Sequence, residues 1–281
     1  MPELPEVETI ARKLREHVVG KTIEQVQVLK NKSFQGEYSR LGGVRITGVQ
    51  RRAKVLIFEL DGAHNILSHL KMTGQFIYVD ELRRVGGGHP TADWVSELPS
   101  THTRVIFNLS DNAQLFFNDQ RIFGWLKLVN PEEEAAELAK YAPDVISPEI
   151  TDEYFYSKLQ KTRRAIKVAL MDNKIVSGVG NIYACDALNK AQIDPRRPAN
   201  SLSTEESALL LDAARSVIQT GIELGGATID SYMNVDGFAG KYQEVRRVYG
   251  REDEFCPNCG MLIEKMSLAG RGTYWCPNCQ R

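Results

Sequence analysis

The sequence lacks any hydrophobic run long enough to cross a bilayer. Its most apolar window, Val55 to Leu60, already contains Glu59, whereas a spanning helix needs about 20 apolar residues. The acidic start, Met1-Pro2-Glu3-Leu4-Pro5-Glu6-Val7-Glu8, holds no apolar stretch of signal-peptide length, so we expect a cytoplasmic protein with no membrane partner. An excess of charge of one sign is also missing. With 35 basic and 36 acidic side chains the formal net charge is −1, so bulk charge makes no case for nucleic acid and charge has to be read locally. Glycine and proline, 22 and 11 residues, stay far below a low-complexity bias, which excludes fibrous and disordered descriptions. What is there is ordinary globular usage, 42% apolar and 25% charged. At about 150 residues per domain, 281 residues predict about two domains, each able to bury its own core.

Cysteine is scarce too, yet it is the first informative residue type. Four of the five form Cys256-Pro-Asn-Cys259 and Cys276-Pro-Asn-Cys279 near the C-terminus. Disulfides are disfavoured in a chain without an export signal, so two CxxC pairs at this spacing predict one tetrahedral zinc site with Cys256, Cys259, Cys276 and Cys279 as thiolate ligands. Four sulfurs leave no open position for water, which makes the zinc structural. Cys185 stands apart and reads as a small buried residue on a helix.

Short runs rich in β-branched and aromatic residues predict strands at 22–29, 44–50, 55–60, 64–70, 75–79, 104–109 and 114–118, with Gly42-Gly43, Asp61-Gly62 and Asp111-Asn112 as turns. A helix over Pro5 to Val18 packs on this β-sandwich. The strand pattern stops between Glu81 and His102, where Gly86-Gly87-Gly88-His89-Pro90 marks a long loop. After an acidic stretch from Pro131, Ala142-Pro143-Asp144 and Ser147-Pro148 break the chain. Helical periodicity then predicts helices at 152–160, 165–171, 182–191 and 203–223, the last opened by the capping box Ser203-x-x-Glu206. The fold class expected is α+β in two domains: a β-sandwich at 1–130, a linker at 131–150, helices at 151–245 and a zinc-bound hairpin at 246–281.

The first residues carry chemistry. Pro5, Glu6 and Glu8 suit a helix start, where a missing N–H is harmless and the dipole favours carboxylates. Pro2 and Glu3 remain unexplained by that reading. Removal of Met1 would expose a secondary amine at Pro2, and an α-amino group titrates near 7.7–8.0, so a sizeable fraction is nucleophilic at neutral pH. Attack of such an amine on a sugar C1′ gives a cationic iminium.

The run Met1-Pro2-Glu3-Leu4-Pro5-Glu6-Val7-Glu8-Thr9 resembles the N-terminus of the bacterial formamidopyrimidine-DNA glycosylase family. So, in order, do Gln50-Arg51-Arg52-Ala53-Lys54, His69-Leu70-x-Met72-x-Gly74, Asp119-x-Arg121-x-Phe123-Gly124, Met171-Asp172-Asn173-Lys174, Gly178-Val179-Gly180-Asn181-Ile182-Tyr183-Ala184 and Val248-Tyr249-Gly250-Arg251. The resemblance covers nearly the whole chain. It departs at Ile122, where the family usually has Arg, at Asp186, where Glu is common, and in the linker Tyr141-Ala142-Pro143-Asp144.

The resemblance implies a bifunctional glycosylase and AP lyase of base excision repair, acting as a monomer on damaged double-stranded DNA. It removes 8-oxoguanine and formamidopyrimidines through a Schiff base at Pro2, followed by β,δ-elimination. It implies a catalytic N-terminal helix and a helix-two-turns-helix domain. Catalytic roles fall to Pro2, Glu3, Glu6 and Lys54, with Glu3, Lys54 and Arg271 as proton donors. Met72, Arg121 and Phe123 would fill the hole left by the everted nucleotide; taken singly they read as core filler, surface charge and core aromatic. Lys54, His69, Lys167, Asn181 and Tyr183 would grip phosphates, and Lys161, Arg163, Arg164 and Lys167 form a local basic cluster that otherwise reads as a solvated helix face. Gly270-Arg271-Gly272 would turn Arg271 outward to pinch phosphates, and Gly237 to Tyr242, with Lys241 and Tyr242, would form a loop over the everted base; glycines there equally suit an ordinary connection. Leu4 and the Arg121-x-Phe123 wedge favour oxidised purines over the oxidised pyrimidines of the related endonuclease VIII branch. The competing readings are a non-catalytic zinc-finger DNA-binding protein and a structural or ribosome-associated zinc protein.

Overall fold

The computed structural model describes residues 2–89, 91–94, 96–227 and 240–281. The chain folds as two compact units, residues 1–139 with 225–240, and residues 140–224 with 241–281.

In the first unit, α1 (Leu4–Val18) begins with proline in its first turn and buries Leu4, Val7, Ile10, Ala11, Leu14 and Val18. Their three- and four-residue spacing places one apolar stripe on the sheet. Ten strands follow among the described residues: β1 (Thr22–Val28), β2 (Phe34–Gln35), β3 (Val44–Arg52), β4 (Val55–Leu60), β5 (Asn65–His69), β6 (Gly74–Val79), β7 (Arg84–Gly88), β8 (Thr103–Leu109), β9 (Ala113–Asp119) and β10 (Trp125–Val129). They hydrogen-bond in the order β2-β10-β5-β4-β3-β1-β8-β9-β6-β7. Only Thr22↔Arg45 and Ile23↔Val44 join β1 to β3, and the sheet folds there. Phe58 on β4 and Phe76 on β6 are five strands apart, about 24 Å in a flat sheet, yet their ring centroids lie 5.4 Å apart. The expected sandwich is therefore one sheet folded over on itself, its two halves facing across a core that includes Leu56, Phe58, Ile66, Phe76, Val105 and Phe117.

Most predicted strands agree with the observed ones to within two residues. The 81–102 segment differs. β7 pairs antiparallel with β6 from Gln75↔Gly88 to Val79↔Arg84, although three consecutive glycines show no apolar alternation. Beyond it a turn of 3₁₀ helix at Ala92–Trp94 brings in buried Asp93, whose Oδ2 meets His102 Nδ1 at 2.9 Å and accepts from Asn118 Nδ2 at 3.3 Å. Leu98 packs against Ile77, Ile106 and Phe116, a second small core. The predicted long loop is an added edge strand followed by a strap.

A short helix, α2 (Pro131–Leu138), ends this unit's first segment. The second unit holds α3 (Asp152–Leu159), α4 (Ile166–Leu170), α5 (Asn181–Lys190) and α6 (Thr204–Glu223), then β11 (Glu264–Leu268) and β12 (Arg271–Trp275). α6 packs on α3 and α5, and α5 on β12. The predicted capping box is present: Glu206 Oε2 accepts from Ser203 N at 2.9 Å and Ser203 Oγ from Glu206 N at 3.2 Å. α4, two turns and α5 form the helix-two-turns-helix element, with Gly178 at φ +96° before α5. β11 and β12 pair from Glu264↔Trp275 to Leu268↔Arg271. Ala269 and Gly270 sit between them at φ +51° and +73°, the left-handed pair of a two-residue hairpin turn. Among the described residues no helix is long and apolar enough to cross a membrane.

Candidate active site and nucleic-acid interface

Pro2 and Glu3 are buried at the head of α1. Glu6 holds this end of the chain: its Oε2 accepts from Glu3 N at 2.8 Å. Its other oxygen, Oε1, accepts from Ala227 N at 2.7 Å. The approach depends on glycine. Gly226 is at φ +85°, and a Cβ there would lie 2.8 Å from Glu6 Oε1; a Cβ on Gly240 would lie 2.1 Å from the Gly226 carbonyl oxygen. Glu6 thus ties the first turn of α1 to Ala227. The first half of the proposed lesion loop, Gly237 to Ala239, lies outside the described residues.

Lys54 occupies the tight turn between β3 and β4 and is buried, preceded by Ala53 at φ +54°. Arg51 braces this turn, donating through Nε to Glu8 Oε2 at 2.9 Å and through Nη1 to the Ala53 carbonyl at 2.9 Å. Burial pushes the Glu8 carboxyl up, but hydrogen bonds and charge from Arg51 and Arg12 outweigh it and hold Glu8 below the usual carboxylate range. His69 ends β5. Its Nδ1 accepts from Lys71 N at 3.0 Å, which leaves the neutral ring carrying its proton on Nε2. Burial, helped by the charges of Lys71 and Lys54, lowers the imidazole to about 3, so His69 is a neutral N–H donor at working pH.

Met72, Arg121 and Phe123 come together on two adjoining turns. Met72 is 41% exposed and Phe123 48%, which is unusual for large apolar side chains. Arg121 Nη1 lies 3.5 Å from Met72 Sδ, and its guanidinium carbon 4.8 Å from the centroid of the Phe123 ring. The core and isolated surface readings of these residues are corrected: they form one exposed cluster of a thioether, a guanidinium and an aromatic ring.

In the second unit, Lys161, Arg163 and Arg164 are exposed on one stretch, and Arg164 pairs with Asp172 at 2.6 Å. Lys167 does not join them. It is 1% exposed, and its Nζ donates to the Gly272 carbonyl at 3.1 Å and to Thr273 Oγ1 at 2.7 Å. Asn181 Nδ2 donates to the same carbonyl at 3.0 Å. The expected basic cluster of four is therefore corrected to three exposed cations and one buried staple, because an ammonium taken from water needs the acceptors that β12 supplies. Arg271 is exposed at the first position of β12.

Tyr183 is fully buried, its ring 4.7 Å from that of Tyr242. Tyr242 is 2% exposed and donates its hydroxyl to Asp186 Oδ2 at 2.9 Å. Asp186 also accepts from the backbone N–H groups of Arg247, Val248 and Tyr249. Neither tyrosine presents its ring to solvent. Lys241 is exposed, and its N–H closes on the Leu224 carbonyl at 2.8 Å.

The Sγ atoms of Cys256, Cys259, Cys276 and Cys279 all lie within 4.8 Å of one another, with Cys256 to Cys279 at 3.9 Å and Cys259 to Cys276 at 3.6 Å. Four sulfurs at about 2.3 Å from one zinc sit about 3.8 Å apart, so the cluster fits the ion. Cys185, buried on α5, packs beside it.

Family profiles match three segments: the formamidopyrimidine-DNA glycosylase N-terminal domain over residues 1–126, the formamidopyrimidine-DNA glycosylase H2TH domain over 141–233, and the zinc finger found in FPG and IleRS over 253–281. The chain is 41% identical to the formamidopyrimidine-DNA glycosylase of Listeria monocytogenes serotype 4b, with all of both chains covered. This chain belongs to the formamidopyrimidine-DNA glycosylase family. The family's Bacillus subtilis member is 40% identical, with 100% of this chain and 99% of that one covered. Among solved family structures, the Lactococcus lactis protein with an abasic site containing DNA superposes at TM-score 0.87 and 32% identity, covering all of both chains. Its G226P mutant with Fapy-dG containing DNA superposes at 0.89. The two-domain α+β fold and one structural zinc on the four cysteines are those of the family.

Sequence reasoning gave no role to Asp119, Thr73 or Asp186. Asp119 stood inside the matched run Asp119-x-Arg121-x-Phe123-Gly124; a buried acid beside two outward-facing residues was the signal available.

Proposed function

We propose that catalysis in this chain runs through the amine of Pro2, freed by removal of Met1. Family membership makes the chain a DNA-formamidopyrimidine glycosylase and AP lyase of base excision repair, with damaged DNA as its partner. In the mechanism proposed, the Pro2 nitrogen bonds to C1′ of the damaged nucleotide as the bond from C1′ to the base breaks and the amine loses its proton; cleavage of the C1′–O4′ bond then opens the sugar ring and leaves C1′ as a cationic iminium on Pro2. Glu3 protonates the ring oxygen and moves protons during two eliminations. The first breaks the 3′ C–O bond and the second the 5′ C–O bond, leaving a one-nucleoside gap with a phosphate at each end. Glu6 positions the nucleophile by holding the first turn of α1 through Glu3 N.

Lys54 and neutral His69 would hold phosphate near the reacting sugar, and exposed Arg271 a second phosphate. Buried Lys167 would act by holding the backbone next to Arg271. Met72, Arg121 and Phe123 would occupy the space left by the everted nucleotide, with Arg121 reading the opposite cytosine. The same reading places the protein in the bacterial cytoplasm as a monomer on the chromosome.

The observation that carries this reading is the full-length family match with Pro2 and Glu3 at the anchored head of α1. Duplexes carrying a formamidopyrimidine or 8-oxoguanine opposite cytosine test it. Cleavage to a gap with phosphates on both ends is expected; no cleavage, or preference for an oxidised pyrimidine, overturns the substrate assignment.

A further inference from the structure

The geometry points to Asp119 as the positioning residue that locks Met72, Arg121 and Phe123 into one opposite-base reading cluster. The inference rests on the proposed role of that cluster and adds what holds it.

The three side chains are exposed on two turns and touch one another. What is fixed is the backbone beneath. Asp119, the last residue of β9, is fully buried and pairs with Gly74 of β6. Its Oδ1 accepts from the Thr73 hydroxyl and, at 3.2 Å, from Arg121 N. Its Oδ2 accepts from Gly124 N at 2.6 Å. Thr73 Oγ1 in turn accepts from Arg121 N at 3.0 Å. Thr73 follows Met72, Gly124 follows Phe123, and Arg121 is bonded at its own N–H. One carboxylate therefore holds a backbone or side-chain group at, or next to, each of the three exposed residues.

Two further features show how closely this turn is specified. Ile122, between Arg121 and Phe123, sits at φ +56°, a left-handed conformation that a β-branched residue adopts only when its surroundings impose it. Gly124 has no room for a side chain: a Cβ would lie 2.9 Å from Phe117 Cζ and 3.1 Å from Asp119 Oδ2. Arg104 Nε donates to the Asp119 carbonyl at 2.8 Å, fixing the strand end that carries the carboxylate. A carboxylate suits this position because both of its oxygens accept. An amide of the same size accepts with one oxygen and turns an NH₂ toward donors on the other side, so one of the two turns is released. Released, the guanidinium of Arg121 no longer stands at a defined height for the opposite base, where a misplaced bidentate contact loses its discrimination.

Single-turnover cleavage of 8-oxoguanine opposite cytosine and opposite adenine tests the assignment, comparing Asp119→Asn, Thr73→Val, Thr73→Ser and Arg121→Ala with the parent protein. Asp119→Asn and Thr73→Val are expected to lower the cytosine-to-adenine rate ratio about tenfold, as Arg121→Ala does, and Thr73→Ser to restore it. Thr73→Val and Thr73→Ser keep the test decisive should Asp119→Asn fail to fold. Equal loss of rate against both opposite bases, or an unchanged ratio in Asp119→Asn and Thr73→Val while Arg121→Ala lowers it, overturns the positioning role alone. An unchanged ratio in Arg121→Ala overturns the reading of the cluster and this inference with it.

Discussion

At the scale of single residues, the proposed phosphate site pairs a lysine with a neutral donor. Lys54 supplies the ammonium group. His69 supplies an Nε2–H whose ring stays neutral because Lys71 N occupies Nδ1 and burial lowers the imidazole to about 3. Titration of the His69 ring by NMR is expected to show no protonation between pH 8 and 5; a midpoint near 6.5 contradicts this. The depressed value also sets a sign for stability. The unfolded ring takes up a proton below about 6.5 while the folded ring does not, so this contribution is complete above pH 6.5. It is lost as the pH falls toward 3, at about 1.4 kcal/mol per pH unit where one proton separates the states. Lys54→Ala is expected to weaken binding to all duplexes and lower the salt slope by about one, whereas His69→Ala should weaken binding with the slope unchanged. Pro2, Glu3 and Lys54 could be picked out in the sequence because their chemistry is local or belongs to a matched run. The burial of Tyr183, Tyr242 and Lys167 could not, because it depends on partners far along the chain, such as Asp186 for Tyr242 and the Gly272 carbonyl for Lys167.

At the scale of elements, the zinc hairpin is a small pair of strands whose termini are gathered by four thiolates. It has little core of its own, so metal binding supplies its folding energy. Removing zinc with a strong chelator is expected to unfold the hairpin and weaken DNA binding, with one zinc per chain measured beforehand; undiminished affinity in metal-free protein contradicts this. Lys167 and Asn181 hold the Gly272 carbonyl beside Arg271. Lys167→Met is expected to cost about 1–3 kcal/mol of stability from the hydrogen bonds lost at the Gly272 carbonyl, which keeps Asn181 as a donor, and at Thr273 Oγ1, and to speed zinc loss, while the salt slope stays that of the parent protein. A slope lower by one would make Lys167 a phosphate contact instead. Strands written as apolar, β-branched and aromatic runs, such as Val55–Leu60, were legible at the residue level. β7 was not: its pairing rests on backbone hydrogen bonds of Gly86, Gly87 and Gly88, which carry no side-chain pattern.

At the scale of the whole molecule, strand-like runs give way to helical periodicity near residue 150, and the structure has its strand-rich unit before and its helical unit after that region. What the linear pattern could not show is that Gly225–Ala227 and Gly240 belong to the first unit. The return is anchored by Glu6 on Ala227 N, a bond spanning 221 positions, and no local signal announces a contact of that separation. The same anchor holds the turn that carries Pro2 and Glu3, and the proposed chemistry depends on that amine being free. Sodium borohydride added during reaction with an 8-oxoguanine duplex reduces the iminium to a stable amine and captures the protein on DNA. Peptide mass spectrometry of the captured complex is expected to place the sugar remnant on the nitrogen of Pro2, with no capture when the N-terminus is blocked by a retained Met1 or a tag. A remnant on Lys54 or Lys167, or normal strand cleavage by the blocked protein, contradicts catalysis through Pro2.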